Sequence, residues 1–224
     1  MAQLLYQRDS TRKHLNATRR HIRLCRQVKG AQFLTDQIQL PYSRLRDKQA
    51  ATLRKQEQRE DRYDDLLIAD TQLDDAVRTV FRRCEEHDRA APGEAVLTQI
   101  FPQGKFGHIV TMSMQEEPDT VARLALRLES LGKDHALYTL AADLRQQVAA
   151  SRKVIKTYEE VNQQVKMAEA DEEIAQATLR QQYENNYLDA RKQLGKTLAE
   201  RLFPRLINPR PAAAVVETAV KADQ

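Results

Sequence analysis

Five histidines, two cysteines and a crowd of arginines carry the chemistry available to this chain. The cysteines, Cys25 and Cys84, each have a histidine within one helical turn: His21 four residues before Cys25, and His87 three residues after Cys84. Two ligands one turn apart can share a metal, but neither pair has a third or fourth ligand near it in sequence. The di-metal centres of helical bundles need Glu three residues before His, so that both project to one side of the core. None of His14, His21, His87, His108 or His135 has a glutamate at that position. The expectation is therefore no metal and no cofactor, with both cysteines reduced and packed as small apolar groups. Catalysis finds little footing either. Gln103-Gly104-Lys105 is a turn and not a phosphate-binding loop, and no serine or cysteine has a base in a recognisable motif. The chain reads as a non-enzyme.

The most unusual local feature is basic. Residues 1–31 hold eight Lys or Arg against one acid, Asp9. At about 100° per residue, Arg8, Arg12, Arg19, Arg23 and Arg26 fall within about 60° of one another on a helix. Such a stripe can bind phosphates with an affinity that falls steeply with salt. The blander expectation, which we favour, is pairing with acids of the same fold or of a partner protein. Asp64, Asp65, Asp70, Asp74 and Asp75 are candidates, as are Glu159, Glu160, Glu169, Asp171, Glu172 and Glu173. No aromatic platform accompanies the arginines, which weakens single-strand binding.

The elements that must carry these residues are long helices. Between Pro41 and Pro92 lie 50 residues without Gly or Pro, and between Gly132 and Gly195 lie 62 more. Both stretches are rich in residues that lose least on entering a helix. A first helix is predicted over about 3–31, with His14, Thr18, His21, Cys25 and Val28 on its buried face. Gly30 and the segment 35–41 end it, and Ser43 caps a second helix over about 44–91. That helix carries a heptad seam of Leu66, Leu73, Val77, Val80 and Cys84, with Leu67 and Phe81 beside it. Pro118 starts a short helix through Leu131, and Gly132 stops it.

Residues 134–203 read as either one rod or a hairpin turning near Lys166–Glu173 with Asp171 as a cap. Matching of segment lengths favours the hairpin. The predicted fold is then all-α: an antiparallel, up-down-up-down four-helix bundle of long coiled-coil-like helices, with one short extra helix. One domain covers 1–203, and 204–224 form a disordered Pro/Ala-rich tail. Residues 92–117 stand apart as an apolar connecting loop or short β-hairpin, because 95–115 hold one charge, Lys105. Ile100, Phe101, Phe106, Ile109 and Val110 are its candidate apolar tip. The Phe101-Pro102 and Phe203-Pro204 corners are expected to meet at one end of the bundle.

Composition bounds the function. The formal charge is +4, aromatic residues are 5%, and there is no Trp. That is too mild a basic excess to imply nucleic acid unaided. No stretch has the roughly 18 apolar residues of a membrane span, and the first residues lack a secretory h-region, so the cytoplasm is the expected location. The stretches 45–62 and 159–180 hold too few apolar residues for a self-sufficient core. A structural or protein-interaction module follows, completed by a second copy or another helical protein. A nucleic-acid-associated protein using the arginine stripe is the alternative. A membrane-active bundle with 95–115 as its tongue ranks below both.

Overall fold

The computed structural model describes residue 2 and residues 4–203, so the tail and Pro204 lie outside the described residues. Among those residues every regular element is a helix: α1 (Thr11–Gln27), α2 (Gln32–Ala90), α3 (Val96–Ile100), α4 (Glu117–Ser130), α5 (Leu140–Leu194) and α6 (Lys196–Leu202). Two of them, with 59 and 55 residues, far exceed the others.

The hairpin expected at Lys166–Glu173 does not form. That stretch is helix throughout and lies inside α5. Asp171 has no orphan amides to cap there; its carboxylate instead accepts from Lys48 at 2.5 Å. Propensity decides the matter, since nothing between 140 and 194 obstructs a helix. The break comes at Gly195, whose φ of +83° suits a residue without Cβ. A second correction concerns Pro41. It sits inside α2 instead of ending a helix, and Ser43 is no cap, its hydroxyl donating to the Leu40 carbonyl at 2.9 Å. The first helix starts later than predicted, at Thr11, because Ser10 is extended and its Oγ accepts from the Lys13 amide at 3.3 Å.

The described residues divide into two compact units: those up to 49 together with 171–203, and residues 50–170. The first unit contains α1, α6, the start of α2 and the end of α5. Its core gathers Ile22, Cys25, Leu34, Ile38, Leu45, Leu179, Tyr183, Leu202 and Phe203. Helices α2 and α5 meet there through Gln37–Asp189 and Lys48–Asp171.

The second unit contains α3, α4, the rest of α2 and the start of α5. Leu73, Val77, Val80 and Cys84 of α2 pack on Val121, Leu124 and Leu128 of α4 and on Leu144 and Val148 of α5. The heptad seam of α2 is thus the core-facing stripe, although Leu67 stays 40% exposed. Further along, contact between α2 and α5 turns polar. The Thr52 hydroxyl donates to the Ala168 carbonyl, Lys55 to Gln164 and Gln56 to Glu169, and the Tyr63 and Tyr158 rings lie 6.0 Å apart. Phe101 is buried in the core of the second unit and Phe203 in that of the first.

Candidate functional site

Arg12, Arg19, Arg23 and Arg26 lie on α1 and are exposed, whereas Arg8 precedes the helix and packs over the Tyr6 ring at 5.9 Å. His14, Thr18, His21 and Cys25 fill the buried face, about 150° around the helix from the arginines. The expected internal pairing is absent: none of the five makes an ion pair with a described residue. Several of the acids proposed for them are engaged elsewhere. Asp65 pairs with Arg62, Asp74 and Asp75 with Arg78, Glu160 with Lys156 and Asp171 with Lys48. Most of these are pairs three or four residues apart, which a long helix supplies to itself.

The apolar segment is neither a β-hairpin nor an exposed tip. Ile100, Phe101 and Ile109 are buried, and Phe106 and Val110 are half-buried against the same core. Phe81 of α2 holds both Phe101 and Phe106, with ring centroids at 5.2 and 4.9 Å. The five-residue α3 within this segment is bracketed from outside. The amides of Val96 and Leu97 donate to the two Asp88 oxygens at 2.8 and 3.0 Å, and Arg127 donates to the Ile100 carbonyl at 3.0 Å. Uncharged sequence here reflects packing, with the polar ends answered by α2 and α4.

His21 and Cys25 are fully buried, and the geometry accounts for both ring nitrogens. Nδ1 donates to the Leu202 carbonyl at 3.0 Å, and Nε2 accepts from Asn186 Nδ2 at 3.3 Å. Asn186 also donates to the Leu34 carbonyl at 2.7 Å. Burial depresses the His21 pKa to about 4 and pushes the Cys25 thiol up to about 12. A neutral imidazole with both nitrogens occupied, beside a protonated thiol, is a polar clamp joining α1, α2, α5 and α6.

Two groupings that sequence spacing did not suggest are built by the second unit. Glu117, at the start of α4, is only 2% exposed and faces Asp70 and Asp74 of α2. Burial, reinforced by these two carboxylates, raises its pKa to about 8. The other grouping is His87, Glu94 and His135. Glu94 Oε2 lies 3.5 Å from His87 Nε2 and 3.8 Å from His135 Nε2, and the imidazole centroids are 4.8 Å apart. Among the described residues this is the set of His, Cys, Asp and Glu spaced to hold a metal ion. His87 belongs with these partners, on the last turn of α2, and not with Cys84, which is part of the core. The 40 residues between Glu94 and His135 hid the group from any test of local spacing.

No family model matches the chain, and no curated protein or solved structure matches it.

Proposed function

We propose that the chain is a non-enzymatic helical scaffold that associates through the outer faces of its two long helices, with a second copy as the first partner to consider. Within each unit we read α2 and α5 as an antiparallel, coiled-coil-like pair, since contacts ascending along α2 descend along α5. The observation that carries the reading is apolar surface left outside the cores. In the second unit Leu53 and Ile68 of α2 and Met167 of α5 are more than half exposed. In the first, Ile174 is 67% exposed and lines an open groove of about 460 Å³ with Pro41, Arg44 and Ala175. Single exposed apolar residues are ordinary, but several on two adjacent helices suit a helix-to-helix interface. Light scattering on the eluting protein tests this. The expected mass is a multiple of 25.8 kDa, reduced to one copy by Ile68→Glu and Ile174→Glu together. A single-copy mass for the parent at every concentration refutes self-association.

Arg12, Arg19, Arg23 and Arg26 of α1, exposed and without an ion pair to a described residue, favour a second reading, binding of a nucleic acid backbone. Four phosphate contacts predict a slope of log K against log salt of about −3.6 on duplex DNA. Replacing Arg12, Arg19 and Arg23 together by Gln is expected to remove three quarters of that slope and leave thermal stability unchanged. A parent that binds no polyanion at low salt ends this reading.

A further inference from the structure

We propose that His87, Glu94 and His135 form a binding site for one divalent transition-metal ion, zinc(II) or a neighbouring borderline ion. Two imidazoles and one carboxylate are the donor set such ions prefer, whereas calcium and magnesium take oxygen ligands. The spacing is close to what an ion needs. Bonds of about 2.0–2.2 Å in tetrahedral geometry hold donor atoms about 3.4 Å apart. Here Glu94 stands at 3.5 and 3.8 Å from the two imidazole nitrogens, and all three donors lie within 4.8 Å of one another. Glu94 is half-exposed on the short link between α2 and α3, so its side chain is free to draw the set together.

The surroundings point the same way. His87 Nδ1 and His135 Nε2 are buried nitrogens without a hydrogen-bond partner among the described residues. An orphaned buried polar atom is unusual and calls for a reason. Asp88 lies 3.9 Å from His87 Nδ1, held in place by the Val96 and Leu97 amides. A carboxylate behind a ligating imidazole is the usual outer partner; an approach of about 1 Å would let Asp88 accept from Nδ1 and fix the tautomer that offers Nε2 to the ion. Three protein ligands leave a coordination position for water.

His135 adds a distinguishing feature. Its Nδ1 accepts from the Leu137 amide at 3.1 Å, so the proton sits on Nε2, which faces Glu94. For Nε2 to bind a metal that proton must move to Nδ1, and the Leu137 amide must let go. Binding therefore draws together the end of α2, the α2–α3 link and the turn before α5 while releasing one amide.

The test is zinc titration of the full, tag-free chain by calorimetry, with cobalt(II) absorbance as a second readout. One equivalent is expected to bind, with affinity falling by at least about 100-fold in His87→Gln and in His135→Gln. Asp88→Asn is expected to cost about 10-fold, as outer partners do. His108→Gln, at an exposed histidine outside the cluster, is expected to bind like the parent. No binding by the parent, or equal binding by His87→Gln and His135→Gln, overturns the proposal. If either variant misfolds, amide spectra of the parent decide: zinc must shift Leu137, and a spectrum in which Leu137 stays put while other residues respond overturns it.

Discussion

Acidification is the sharpest probe of the clamp in the first unit. His21 is fully buried with both nitrogens engaged, and its pKa falls from the ordinary 6.5 to about 4. The unfolded chain therefore takes up a proton near pH 6.5 that the folded chain refuses until about pH 4. Stability from this residue is complete above 6.5 and is lost as pH falls through that window. At about 1.4 kcal/mol per pH unit, over about 2.5 units, the loss comes to about 3 kcal/mol. His21→Gln removes the titration while keeping an amide that can face Leu202 and Asn186. The variant is expected to be less stable than the parent at neutral pH by about 2–4 kcal/mol, because ring packing against Tyr183 and Phe203 is lost. That deficit is expected to shrink by about 3 kcal/mol at pH 4. Urea unfolding followed by helical circular dichroism, run on both proteins across the range, measures it. His14, also depressed by burial, is common to both and cancels. A deficit that is constant with pH, or that widens on acidification, refutes the assignment of His21 as a neutral, buried clamp.

Glu117 is expected to act in the opposite direction. Its folded pKa of about 8 lies above the ordinary 4.5, so the folded state holds a proton that the unfolded state has lost, and stability declines as pH rises through that interval. Thermal midpoints should show Glu117→Gln gaining on the parent between pH 5 and pH 9; a gain independent of pH would show that Glu117 is already ionised in the fold. At α3, Ala95 adopts the left-handed conformation with φ of +49°, so Ala95→Gly is expected to stabilise by about 0.5–1 kcal/mol. Asp88→Ala, which strips the cap from the Val96 and Leu97 amides, is expected to cost about 1–2 kcal/mol by denaturant unfolding, and a smaller loss would mean water replaces the carboxylate without penalty.

What was legible in the sequence was whatever local propensity and periodicity control. The buried face of α1 and the α2 seam from Leu66 to Cys84 follow from apolar spacing, and the stop at Gly132 follows from its freedom at φ of +93°. Pro41 was misread because a proline reads as a terminator, although a helix can absorb one carbonyl left without a donor when the flanking turns are packed. Leu34, Ile38 and Leu45 supply that packing. The candidate sites were less legible for a different reason. His87 and His135 meet only because α4 brings the chain back, and Glu117 is buried only because Pro118 starts α4 against Asp70 and Asp74. Such encounters belong to tertiary structure, and spacing within one element carries no trace of them.

The hairpin that does not form has a physical lesson. Lys166–Glu173 is polar, and polarity suggested a turn because a bundle arm was expected to be apolar throughout. Helix continuity needs no apolar residue, however; it needs only that each residue tolerate α geometry and that the backbone be satisfied. Apolar residues are required where a third element must be held. Beside that stretch, in the second unit, α2 and α5 face each other through Thr52, Lys55 and Gln56, with hydrogen bonds replacing a core. Such polar contacts are each worth about 1 kcal/mol or less, so they set register more than they set stability. Of the apolar side chains that these stretches carry, Val165 is buried, whereas Leu53 and Met167 point outward. A helix pair whose mutual face is largely polar and whose outer face bears exposed apolar groups gains more by covering that outer face than by tightening its own seam.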